Sequence, residues 1–175
     1  MFSILVVCTG NVCRSAAAEL LLRAGLPAGL VVRSAGTAAV VGAPVHPLTA
    51  AALARLGIDC AGHAGRQLVP EQVAGADLVL GMTREHRAAA VRLHPPTVSR
   101  AYTFAEFARL ASDPADPAAL LEQTRAIRGV VRAAAPADDD IADPIGRPAA
   151  VHDAVVATIA EQAGRIARAF GGTAH

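Results

Sequence analysis

The chain has 175 residues, 53% of them hydrophobic but only 3% aromatic, and a formal net charge of +1. That length fits one domain, residues 1–175, with a core built from Ala, Val, Leu and Ile rather than from rings. A near-neutral charge without an arginine cluster excludes a nucleic-acid footprint, and no apolar run reaches the ~20 residues of a membrane span.

An apolar start, Phe2–Val7, reads as a strand that leaves no room for a signal peptide. It empties into Cys8-Thr9-Gly10-Asn11-Val12-Cys13-Arg14-Ser15, and an Ala/Leu-rich helix, Ala16–Ala24, follows. Gly25 and Pro27 stop that helix before a second strand, Gly29–Ser34. A loop to Pro47 precedes a helix over Leu48–Leu56, closed by Gly57. Val69-Pro70-Glu71 opens a short helix, Ala76–Met82 is a third strand, and Thr83 caps a helix running to about His94. After Pro95-Pro96 come a short strand, Val98–Tyr102, and a helix over Phe104–Leu110. Asp113-Pro114 and Asp116-Pro117 read as turns, and Ala118–Arg132 as a helix with Arg125, Arg128 and Arg132 on one face. Ala133–Asp140 is an acidic loop, either solvated or a mobile lid over a site, and Ala150–Phe170 is a closing amphipathic helix. Strands alternating with helices predict an α/β domain: a four-stranded parallel sheet, right-handed crossovers and helices on both faces.

The octet after the first strand carries the chemistry. A loop that ends in a helix start has several backbone N–H groups without helical partners, and turned inward they make a nest for a tetrahedral oxyanion. Cys8 stands where a nucleophile would reach that anion, and positive surroundings favour its thiolate, the reactive form. Arg14 can offer its planar fork to two oxygens at once. All 16 basic residues are arginine, and the one asparagine is Asn11, inside the loop, where its tolerance of left-handed backbone is useful.

Read as CTGNVCRS behind a hydrophobic strand, this octet resembles the signature of the low-molecular-weight protein tyrosine phosphatases. The resemblance implies their flavodoxin-like fold and a phosphomonoesterase working through a phosphocysteine, most simply on protein phosphotyrosine. Phosphate would be held by Thr9, Gly10, Asn11, Val12, Cys13, Arg14 and Ser15. The general acid, which a poor leaving oxygen requires, would be Asp143 of Asp143-Pro144-Ile145-Gly146; Ile145 stands where an aromatic residue is usual. The stretches Ser34–Thr37, His63–Leu68 and Ala76–Leu78 also fall at family-like spacing. They imply that Ser34 and His63 hydrogen-bond around Asn11 and hold the loop; taken alone, His63 reads as an exposed loop histidine. Ser15 would donate to the Cys8 sulfur, cap the helix start, or both. Cys13 either pairs with Cys8 as a protective disulfide or simply fills the loop, and Cys60 has no evident partner.

Three departures stand out, the first and third of them bearing on substrate. Ile145 lacks a ring, Val40 and Val41 occupy the opposite wall, and a wall without aromatic faces stacks poorly on a phenyl ring. Thr83 follows Met82 where many members have Asp, and there are extra residues between Leu110 and Asp143. An arsenate reductase of this fold would need a resolving cysteine pair or an external thiol, and only Cys60 is at hand. Phosphoarginine phosphatases carry Thr at the position of Val12, and an apolar residue argues against that activity. A silent phosphate-binding module would require neither nucleophile nor acid. His46, His63, His86, His94 and His152 show no usual ligand spacing, so no metal or cofactor is expected. The expected partner is a phosphorylated protein or small phosphomonoester, not nucleic acid or a membrane. Three cysteines, an odd number, do not make a disulfide scaffold and suit a reducing cytoplasm.

Overall fold

A computed structural model of the chain describes residues 1–111, 116–131, 133 and 135–173. Asp113-Pro114 and Arg132 lie outside the described residues. Four parallel strands, β1 (Phe2–Cys8), β2 (Leu30–Gly36), β3 (Leu78–Gly81) and β4 (Ala101–Thr103), stand in the order β2-β1-β3-β4. Alternation along β1 explains the layering. Ile4, Val6 and Cys8 face one core with helices α1 (Arg14–Gly25), α2 (Pro47–Arg55), α5 (Phe104–Leu110) and α7 (Ala149–Ala169). Leu5 and Val7 face the other, with α3 (Pro70–Ala74) and α4 (Arg84–Leu93). Buried on both faces, the strands read as continuous apolar runs. The chain steps from β1 out to β2 and then back past β1 to β3, so the strand order reverses beside the end of β1. Cys8 ends that strand, in the crevice where such sheets bind ligands.

The few aromatic side chains are concentrated. Phe107 is fully buried, edge-on to Tyr102 at 5.2 Å and stacked on Phe170 at 6.2 Å. Tyr102 is also fully buried; its hydroxyl meets Thr124 at 3.2 Å and the Arg128 guanidinium covers its ring at 4.1 Å. Arg128 also pairs with Glu106, and Arg125 donates to the Ser99 carbonyl. These two arginines therefore fasten α6 (Pro117–Ile127) to the β4 edge.

Three elements depart from the sequence reading. Val98–Arg100 belong to a 3₁₀ helix over Pro95–Arg100, and β4 begins only at Ala101. Two prolines at its start fix φ in the helical range, and His94 Nδ1 meets Thr97 Oγ1 at 3.0 Å to close the turn. Asp116-Pro117 is a helix start: Asp116 Oδ1 accepts from the Ala118 and Ala119 amides, with Pro117 at the first helical position. The acidic run is tied down at its end. Pro136–Asp139 form a 3₁₀ turn, Asp139 pairs with Arg109 at 2.6 Å, and Asp140 accepts from the Arg84 amide and guanidinium. Among the described residues no helix is long and apolar enough to cross a membrane.

Phe107→Ala removes the centre of the aromatic cluster and should cost about 3–5 kcal/mol. Urea titration of the variant checks it; a loss below ~1 kcal/mol would show that the cluster collapses to fill the gap.

Candidate active site

The loop between β1 and α1 is shaped from outside, through its carbonyls. Cys8 O accepts from Thr37 N (2.9 Å), Thr9 O from Ala38 N (3.0 Å) and Gly10 O from Val40 N (3.0 Å). Asn11 O accepts from His63 Nε2 (2.8 Å), Val12 O from His46 N (2.8 Å), and Cys13 O from Ala17 N (2.8 Å). In a trans peptide the N–H points opposite to the C=O, so a ring of outward carbonyls turns the intervening amides toward the cleft. The approach is tight. A Cβ on Gly36 would lie 2.3 Å from Thr9 O, which is why β2 ends in glycine.

Asn11 is the hinge of this curl, with φ of 56°, the one non-glycine positive φ among the described residues. Its fully buried side chain is saturated: Nδ2 donates to Ser15 Oγ (2.9 Å) and Ser34 Oγ (2.7 Å), and Oδ1 accepts from Arg66 N (2.8 Å). Since Ser15 Oγ accepts from Asn11, its own proton is free for Cys8 Sγ, 2.9 Å away. The Asn11 amide also donates to that sulfur, at 3.3 Å. Ser34 Oγ donates a hydrogen bond to Glu19 Oε2 (2.5 Å), a buried carboxylate neutralised by Arg66 at 3.0 Å. His63 donates through Nε2, which leaves Nδ1 facing Glu19 Oε2 at 3.8 Å.

Arg14 opens α1 and is buried. Nη1 donates to the Ile141 carbonyl (3.1 Å) and Nη2 to Asp143 Oδ2 (2.5 Å). Ile141 is itself tied to the sheet, its N–H donating to Met82 O at 2.9 Å. Asp143 is half-exposed and accepts from Ile145 N through Oδ1 (3.1 Å). Cys8, Thr9, Gly10, Val12, Cys13, Arg14, Val40, Asp143 and Ile145 line a cleft of about 200 Å³. Val40 and Ile145 form its aliphatic rim, whereas Val41 stands outside it. All three cysteines are free thiols, so no Cys8–Cys13 bond is present. Burial pushes the Cys13 thiol up, partly offset by a hydrogen bond with Thr49.

Sequence reasoning missed Glu19, Arg66 and His86. Glu19 left a signal, a lone carboxylate in the apolar helix face. His86 bridges Thr9 Oγ1 (2.9 Å) and Thr83 Oγ1 (2.8 Å), an arrangement that only the sheet creates. Burial and the nearby Arg14 charge hold His86 below the usual histidine range. Folding also gathers Cys13, His46 and His152, which no sequence spacing connected.

Comparison with known proteins agrees with this fold. The sequence model of the low molecular weight phosphotyrosine protein phosphatase family matches residues 3–123. The chain belongs to this family of cysteine-based phosphatases. It is 42% identical over 105 residues to the low molecular weight protein-tyrosine-phosphatase Etp of Escherichia coli strain K12, covering 60% of this chain and 70% of Etp. The YwlE arginine phosphatase of Geobacillus stearothermophilus superposes with a TM-score of 0.75 and 30% identity, over 96% of this chain and 92% of that one. The tyrosine phosphatase Wzb of Escherichia coli K30, solved with sulphate, gives 0.73 and 25%, over 96% and 98%. The family match ends before Asp143, which lines the same cleft as Cys8.

Both Asn11→Ala and Asn11→Gly should lower kcat/KM, since each removes the bridge to Ser15 and Ser34. The alanine variant should also be less stable than the glycine one by about 1–2 kcal/mol, because only glycine takes the left-handed backbone without penalty. Equal stability of the two would show that the φ carries no strain. For His86, the unfolded chain titrates near pH ~6.5 and takes up a proton that the folded chain resists. Its contribution is present above that pH and lost as pH falls through it. Denaturation midpoints should therefore drop between pH ~7 and ~5.5, and His86→Gln should flatten the slope.

Proposed function

We propose that the chain hydrolyses phosphomonoesters through a phosphocysteine, acting on protein phosphotyrosine in the cytoplasm. The observation that carries the reading is the convergence on Cys8 Sγ of two donors, Asn11 N–H and Ser15 Oγ, at the floor of a cleft that also holds Arg14 and Asp143. Two donors aimed at one sulfur stabilise it as a thiolate, both for attack and for departure.

The phosphate dianion enters the nest and takes the Arg14 fork in place of Asp143. Its other oxygens accept from the loop amides of Thr9, Gly10, Val12, Cys13 and Ser15. Cys8 attacks phosphorus in line as the P–O bond to the alcohol or phenol breaks. Asp143 gives its proton to that leaving oxygen. Water then attacks the phosphocysteine, Asp143 takes the water's proton, and the S–P bond breaks to return the thiolate and inorganic phosphate. Ser34 and His63 act at one remove, keeping Asn11 and its amide in place.

Phosphotyrosine is favoured over phosphoarginine by Val12, whose apolar side chain lines the cleft and offers a guanidinium no acceptor. The aliphatic rim of Val40 and Ile145 accepts a phenyl ring by contact rather than by stacking. Arsenate reduction finds no downstream resolving thiol at the cleft, where Cys60 is not among the lining residues, and would need an external thiol. The free thiols, two of them buried, suit a reducing compartment.

Cys8→Ser should abolish turnover of an aryl phosphate while oxyanion binding survives; turnover above contaminating background would sink the phosphocysteine route. Asp143→Asn should slow Cys8 phosphorylation by ~10²–10⁴-fold for poor leaving groups and far less for p-nitrophenolate. Single-turnover rates across a leaving-group series read this directly, and an unchanged dependence removes Asp143 as the acid. A panel of phosphotyrosine, phosphoserine and phosphoarginine peptides, run beside arsenate, settles the substrate class.

A further inference from the structure

Beside the cleft, at the Cys13 end of the nucleophile loop, three donor side chains meet. Cys13 caps the start of α1, His46 caps the start of α2, and His152 lies in the first turn of α7. Cys13 Sγ and one nitrogen of each ring all lie within 4.8 Å of one another. Cys13 and His152 are buried, and His46 is half-buried.

Two observations go beyond proximity. His152 has no exposed surface, yet its Nε2 has no hydrogen-bonding partner; the Pro144 carbonyl, which favours the protonated ring, does not close a bond of normal geometry on it. Such an atom inside a protein calls for an explanation. Thr49 supplies the second. Its Oγ1 sits 2.8 Å from His152 Nδ1 and lies near enough to the Cys13 side chain to favour its thiolate. With its proton turned toward the Cys13 sulfur, the Thr49 hydroxyl can accept from His152 Nδ1–H, the tautomer in which Nε2 keeps a bare lone pair for an ion. A histidine fixed through one nitrogen, with the other free, is arranged as metal-bound histidines are.

We propose that Cys13, His46 and His152 form a binding site for a divalent cation of the zinc class, with Thr49 as its outer partner. One thiolate and two neutral imidazoles are a donor set that zinc prefers over hard cations. On binding, a sulfur–metal bond forms, the Cys13 proton leaves to solvent, and the imidazoles contribute lone pairs without losing a proton. Bonds of ~2.0–2.3 Å in a tetrahedron put donor atoms ~3.3–3.6 Å apart, so the trio closes by about 1 Å. The two rings stack at 4.8 Å with 15° between planes, so one of them turns to converge on the ion. Half-buried His46 has the room, and the turn gives up its 3.3 Å bond from Leu48 N. The ion then ties the loop residue beside Arg14 to the helix that follows the Asp143 segment, and keeps Cys13 from pairing with Cys8. Metal binding here does not depend on the phosphatase reading.

The test uses the full chain as Cys8→Ser with Cys60→Ser, in which Cys13 is the one thiol left, titrated with Co²⁺ and then Zn²⁺. The expected result is a thiolate-to-cobalt charge-transfer band with intense tetrahedral d–d absorption, saturating at one ion per chain and displaced by zinc. Thr49→Val should weaken zinc binding by ~10–100-fold, and His46→Ala by at least as much. His46 is partly exposed, so that variant tests the site even if a buried His152 substitution fails to fold. A missing charge-transfer band, a weak octahedral spectrum, or a band unmoved by His46→Ala would each overturn the proposal.

Discussion

The site depends on one residue held in an unusual backbone conformation. Asn11 turns the loop with its φ of 56° and, through its amide and both ends of its side chain, binds the nucleophile, the helix start, β2 and the Arg66 segment together. Left-handed backbone costs a non-glycine residue of the order of ~1–2 kcal/mol, so glycine would be the cheap choice. Glycine would leave Ser15 and Ser34 without their shared donor. A buried hydroxyl deprived of its partner costs ~1–3 kcal/mol, and two of them outweigh the backbone term. Asparagine is thus the residue whose local strain is smaller than the network it completes.

That network ends on a charge. Glu19 is buried, and it is tolerable there because Ser34 donates to one oxygen while Arg66 spans both. Arg66 in turn donates its backbone N–H to Asn11 Oδ1 and its Nε to Ser34 O. The same two segments therefore meet twice, once through side chains and once through backbone. A shift of either one would leave a carboxylate inside the protein without its cation, a penalty of several kcal/mol. Rigidity of the nest comes from this cost of moving rather than from any single strong bond.

Much of this could be read from the chain. The octet, its strand and its helix lie within one local βα unit, so short-range patterning was enough to place Cys8, Arg14 and Asn11. Four strands and their parallel order followed from alternation with helices, because strands buried on both faces leave continuous apolar runs. What could not be read depends on distant segments. His86 reaches Thr9 only because β3 lies beside β1; Cys13, His46 and His152 meet only because α2 and α7 pack together. Asp116-Pro117 looked like a turn, since the same two residues serve as turn and helix start, and the sequence does not say which. The acidic run looked solvated because its cations, Arg84 and Arg109, belong to helices far away in sequence.

The Arg14–Asp143 contact connects the resting arrangement to the proposed chemistry. One guanidinium nitrogen is fixed by the Ile141 carbonyl, and the other holds the carboxylate that would serve as acid. A phosphate dianion is the better partner for a planar fork, since it brings two charges and oxygens at matching spacing. When it takes the fork, Asp143 loses the cation that neutralised it and faces a fresh anion instead. Both changes favour a carboxyl that keeps a proton to give. Asp143 is half-exposed and can take that proton from water, whereas Arg14, buried and anchored at Ile141, cannot follow the carboxylate out. In the proposed reaction, substrate binding and arming of the acid would then be one event. A carboxylate held on a separate, fixed cation would stay deprotonated with or without substrate and would lose this coupling.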